Sequence, residues 1–167
     1  MTSWLFALTL LCVLGSGLIS GVFFGFSSFI MGALGRLPAQ QGIAAMQSIN
    51  IVVINPLFLG VFIGTAVACL VLAIAALLKW YHPASALLLT GALLYFGGTF
   101  LVTMLFNVPL NNGLAAVSPD SAAGANLWTR YLSIWTAWNH VRTIAALLAA
   151  ALLTYALVLL ARVPIAG

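Results

Sequence analysis

Residues 57–78 read LFLGVFIGTAVACLVLAIAALL, 22 residues without a charge, and Lys79 follows. A helix of roughly 20 apolar residues is enough to cross the hydrocarbon core of a bilayer. Outward from this stretch the same pattern recurs, and four spans are predicted at about 4–34, 43–78, 84–106 and 127–161. Six residues carry a formal charge: Arg36, Lys79, Arg130, Arg142, Arg162 and Asp120. Charged residues make up 4% of the 167-residue chain, against about 25% in soluble domains. So few charges cannot clothe a water-facing surface. The expected fold class is an all-α membrane protein, a four-transmembrane-helix bundle in a single domain over residues 1–167.

Spans one, two and four are ten or more residues longer than a crossing requires, so they tilt, kink or project. Let side A hold the termini and the 79–83 connection, and side B the 35–42 and 107–126 connections. Lys79 and Arg162 mark side A. Counting about 20 residues back from each reaches Leu59 and Arg142. The excess length, with Asn50, Asn55, Asn107, Asn139 and His140, therefore collects at side B. Pro38 ends span one, and His82-Pro83 turns between spans two and three. The 107–126 loop is expected to fold over the side B end. The basic residues divide between the sides, and the expected placement is the cytoplasmic membrane with both termini inside.

Composition excludes several chemistries. The chain has no Glu and one Asp. A carboxylate-bridged di-iron site, a paired-carboxylate glycosidase and an intramembrane acidic proton relay all lack their side chains. Scattered basic residues leave no nucleic-acid footprint. Cys12 and Cys69 form no CxxC and read as small buried hydrophobes.

Polar residues inside the spans carry the functional reading. Met46, Gln47 and Asn50 share a face of span two. Pro56 kinks that helix, and Asn50 and Asn55 either satisfy the freed carbonyls or line a site. Pro109 is expected to end span three at Asn107, with Asn111 just beyond. In span four, Trp128, Tyr131, Trp135, Trp138, Asn139 and Arg142 share one face, while Ser133, Thr136, His140 and Thr143 share another. Trp and Tyr at this level fit an interfacial belt. Arg142 has no carboxylate partner within the spans. It must snorkel to a lipid phosphate, bond carbonyls and amides such as Asn139 on its own face, meet Asp120 from the loop, or hold an anionic ligand. His140 is either a structural hydrogen-bonder, a base, or a ligand to haem or a metal. On a regular helix it points roughly 160° away from Arg142. Small residues at Gly17, Gly21, Gly25, Ser28 and Gly32 form a stripe suited to close packing in the chain or to homo-oligomerisation.

The segments Asn107-Val108-Pro109-Leu110-Asn111 and Trp135-x-x-x-Asn139-His140-x-Arg142-Thr143 resemble the DUF1772, or anthrone oxygenase-like, family. The segment from Leu37-Pro38-Ala39 through Met46-Gln47 and Asn50 to Asn55-Pro56 fits the same pattern. The resemblance covers about residues 20–150. It implies a small four-helix membrane protein, and some relatives oxidise polyketide anthrones to anthraquinones. On that footing the expected function is a membrane-bound, oxygenase-like protein acting on a hydrophobic aromatic or quinone-type molecule at the side B interface. His140 and Arg142 are the expected catalytic pair. Asn50, Asn55, Asn107, Asn111, Trp135, Asn139 and Thr143 are the expected substrate contacts. No cofactor is required in this reading; haem or a metal held by His140 is the alternative. The rival class is a non-catalytic binding or accessory protein for a lipid, quinone or haem. A transporter ranks third, because no repeat or acidic coupling residue is visible.

Overall fold

The structure is a computed structural model that describes residues 3–78, 80 and 83–162. Lys79, used above with Arg162 to mark side A, lies outside the described residues, as do His82 of the expected turn and the side chain of Arg162. The described chain is almost wholly helical, without strands: α1 (Ser3–Gly25), α2 (Met31–Gly35), α3 (Ala39–Val52), α4 (Pro56–Leu78), α5 (Ser85–Leu93), α6 (Val108–Ala115) and α7 (Ala122–Arg162). Three π-helical segments, Phe26–Ile30, Leu94–Leu101 and Thr103–Asn107, join α1 to α2 and α5 to α6 without breaking the rods. Four continuous helices are long and apolar enough to cross a membrane. This is the four-helix membrane bundle that the charge count demands.

The membrane-crossing helices differ widely in length. α7 has 41 residues and so runs about 60 Å, twice the ~30 Å hydrocarbon core. α4, with 23 residues, only just crosses. The chain breaks before it, at residues 53–55, where a single kinked span had been expected. Asn55 explains the break. Its Oδ1 accepts the Phe58 N–H at 3.0 Å, and its Nδ2 donates to the Val52 carbonyl at 2.9 Å. One side chain thus ends α3 and caps α4, and Pro56 takes the first helical position, where its missing N–H costs nothing. α3 then folds back against α2, α6 and α7.

Span three does not end at Asn107. The Val108 N–H bonds the Thr103 carbonyl, five residues back. That wider turn delivers Pro109 into the first turn of α6, where no N–H is needed. Most of the expected 107–126 loop is therefore helix. Residues 116–121 make the turn, and Ser121 caps α7 by accepting the Gly124 N–H at 2.9 Å.

Two cores fill the bundle. The side A core is built from small and aliphatic residues such as Cys12, Cys69, Leu72, Ala146, Ala149 and Leu153. Both cysteines are free and buried, as read. The side B core gathers Met31, Ile43, Met46, Leu114, Trp128, Tyr131 and Trp135. Trp128, Tyr131 and Trp135 are thus core residues, not an interfacial belt. The glycine stripe turns outward: a Cβ added at Gly17, Gly21 or Gly32 meets nothing within 4 Å. Packing inside the chain does not use it.

Candidate functional site

Where the two cores meet, a cavity of about 790 Å³ opens. This is the size of a small-molecule pocket. Its walls are mostly apolar, with Phe23, Phe26, Phe58, Phe62 and Trp135 among them. Polar groups are few: Gln47 and Asn50 from α3, Thr103 from the last π-helical segment, Asn111 and Asn112 from α6, and Arg142 from α7.

Arg142 is the centre of the site. It is 3% exposed, and its hydrogen bonds go to neutral groups. One terminal nitrogen donates to Asn139 Oδ1 at 2.6 Å, the other to Thr103 Oγ1 at 3.3 Å. The guanidinium lies over the Phe23 ring at 4.1 Å and the Trp135 ring at 4.9 Å. Each such face contributes about 0.5–2 kcal/mol, most when water is excluded. Asp120, the chain's one acidic side chain, sits exposed in the 116–121 turn and does not supply the counter-charge. A guanidinium carries five N–H donors. Two are used, and the buried Nε has no partner. A desolvated cation with spare donors at the wall of an apolar cavity is built to meet an anion.

The scaffold behind it is polar and closely bonded. Asn139 donates to the Phe23 carbonyl and to Ser27 Oγ, both at 2.7 Å, so its oxygen is fixed toward Arg142. Thr99 Oγ1 donates to the Arg142 carbonyl at 3.2 Å. Asn107 Nδ2 donates to the Trp135 carbonyl at 3.2 Å, while its buried Oδ1 has no partner. Asn111 Oδ1 accepts from Tyr131 Oη and Trp135 Nε1, both at 2.8 Å. With its oxygen committed, Asn111 keeps its amide donors for the cavity it lines.

The expected site residues thus divide. Asn50, Asn111, Trp135 and Arg142 line the cavity. Asn107 and Asn139 stand behind its walls and orient Trp135 and Arg142. Thr143 ties α7 to α1: its carbonyl accepts from Ser20, and its hydroxyl lies 3.4 Å from Ser27. Asn55 is occupied with capping. His140 is exposed and lines a separate, shallow groove with Ser28, Gly32, Arg36, Ser133 and Thr136. α7 is regular through this region, so nothing offsets the angle between His140 and Arg142. The pairing of the two at one small ligand is corrected accordingly. Among the described residues no three His, Cys, Asp or Glu side chains cluster as a metal site would require.

Thr103 is the site residue that sequence reasoning missed; Tyr131 was grouped with Arg142 on one face but not named as a contact. Thr103 carried a signal. Tyr95, Thr99, Thr103 and Asn107 recur every four residues, and the π-helical turns keep all four facing into the bundle. Tyr95 is fully buried and donates to the Phe62 carbonyl at 3.1 Å.

Fold and site together define a multipass helical membrane protein with an arginine-centred apolar pocket. The sequence profile of the Anthrone oxygenase family matches residues 58–152, which hold nearly all of α4, then α5, the two later π-helical segments, α6 and the Arg142 region. The chain belongs to this family. No curated protein and no solved structure matches it.

Proposed function

We propose that the chain holds a flat, hydrophobic aromatic or quinone-type molecule in this cavity, with an oxyanion-forming edge against Arg142, and acts on it as an oxygenase. The observation that carries the reading is Arg142 itself: a buried cation with unused donors, no carboxylate partner, and aromatic rings on its faces. Family membership supports an oxygenase-like role.

An anthrone fits the chemistry. Loss of a methylene proton leaves a carbanion delocalised onto the carbonyl oxygen, and that anion reacts with dioxygen. Overall one oxygen atom enters the ring as a carbonyl and the other leaves as water. Arg142 and the Asn111 amide stabilise the oxyanion; a hydrogen bond to a charged group contributes about 1.5–3 kcal/mol. The lining residues include no His, Cys, Tyr, Asp or Glu, so the pocket supplies no side-chain base and the proton passes to hydroxide or buffer base from solution. Of the expected pair, this leaves Arg142 with the catalytic role and His140 without one.

The same lack of a proton acceptor favours a second reading, a protein that binds such a molecule without turning it over. Oxygen uptake by the purified protein with 1,8-dihydroxyanthrone separates them. Uptake above the protein-free rate, lost in Arg142→Gln, supports the oxygenase. Binding without uptake selects the second reading, and no binding rejects both.

A further inference from the structure

Residues that both line the cavity and are exposed mark its rims, and there are two such rims. One is apolar: Ile51 and Ile54 at the α3–α4 break, with Met104 on the third rod. The other is Asn112 and Ala115 on α6. Their heights differ. At about 1.5 Å per residue, an upper limit across the π-helical turns, Met104 lies at most ~29 Å from Ser85, the side A end of its rod, and Ala115 at most ~45 Å from it. Pro56 stands ~33 Å from Leu78, and Arg142 ~30 Å from Arg162, on the same measure. The hydrocarbon core is about 30 Å thick. Ile54, Met104 and Arg142 therefore share one level, the side B edge of the hydrocarbon, while Asn112 and Ala115 stand well outside it.

Exposure of the break agrees with that placement. Ile51 is 73% exposed, Ile54 69% and Leu57 80%. Three large aliphatic side chains turned outward within seven residues are costly in water and favourable against acyl chains. Arg142, on the wall of the cavity, is almost inaccessible, so a ligand must pass one of the rims to reach it.

We propose, on the ligand reading above, that the ligand reaches Arg142 from the bilayer, sideways through the slit between the α3–α4 break and Met104, and not from water past Asn112 and Ala115. A charged molecule does not dissolve in hydrocarbon. The ligand class is thereby narrowed to molecules that are uncharged in the membrane and carry one hydroxyl or carbonyl edge. Asn55 is a positioning residue for this route, because its two bonds fix the break that forms one lip of the slit.

The test uses the full chain in phosphatidylcholine vesicles. Cys12 and Cys69 are fully buried, so nitroxide labels report on Ile54→Cys and Ala115→Cys. The Ile54 label should collide mainly with dissolved oxygen, and the Ala115 label with a water-soluble nickel chelate. Loading of 1,8-dihydroxyanthrone, followed by its own absorbance, should slow about 5-fold or more in Ile54→Trp with Kd within about twofold, since a narrowed passage changes both rates together. Ala115→Trp should load at the wild-type rate. The proposal is overturned if nickel reaches the Ile54 label as readily as the Ala115 label, or if Ala115→Trp slows loading and Ile54→Trp does not. If the wild-type chain takes up no anthrone, the ligand reading fails, and the two labels still decide where the cavity opens.

Discussion

Arg142 and His140 stand two residues apart on α7, and the two surfaces they occupy have no lining residue in common. Arg142 faces inward, wrapped by Phe23, Trp135, Thr103 and Asn139. His140 faces outward over a shallow groove of hydroxyls and glycines. Adjacency in a motif is adjacency in space only when helical periodicity agrees. The string Asn139-His140-x-Arg142-Thr143 therefore encodes two surfaces: one buried against the cavity, the other open to its surroundings.

Substitutions on the inner face should dominate. Arg142→Gln removes the charge but keeps a polar side chain, and should weaken binding of 1,8-dihydroxyanthrone about 10- to 100-fold, the value of charge-assisted hydrogen bonds. Binding within twofold of wild type would break the comparison. Next comes Gly98→Val. A Cβ at Gly98 would lie 2.5 Å from the Ala145 Cβ, so α7 must move away from the π-helical segment at a cost of about 1–3 kcal/mol. Thermal unfolding in detergent reads this directly, and an unchanged midpoint would contradict the close approach. Tyr131→Phe removes one of the two donors that fix Asn111 Oδ1. Affinity should fall about 5-fold, near 1 kcal/mol, without loss of folded protein. The smallest effect belongs to the outer face. His140→Ala should leave affinity and oxygen uptake within about twofold, as expected of an exposed position away from the site. Loss of uptake in that variant would return the catalytic role to the imidazole.

Much of this was legible in the sequence, and for physical reasons. A membrane tolerates few charges, so six charges in 167 residues announced the bundle. Counting helix rise from the basic residues put Asn50, Asn107, Asn139 and Arg142 at one level before any packing was known. The face containing Tyr131, Trp135, Asn139 and Arg142 followed from a 3.6-residue period and proved to be the inner one. Three things were hidden. Asn55-Pro56 reads equally as a kink or as a cap followed by a first helical proline, and the contacts of α3 with α2, α6 and α7 decide for the cap. The π-helical turns have no composition of their own; they are fixed by packing against α7, and with them the positions of Thr103 and Pro109. His140 was drawn into the site by its neighbours in the motif, although the same period that grouped the inner face had turned it away.

The central claim is that Arg142 holds an oxyanion. Its most direct test is the absorption spectrum of 1,8-dihydroxyanthrone bound without oxygen, at a pH where the free molecule is neutral. Wild type and His140→Ala should show the red-shifted spectrum of the anion, and Arg142→Gln that of the neutral form. An anion spectrum that persists in Arg142→Gln, or vanishes in His140→Ala, would contradict the account.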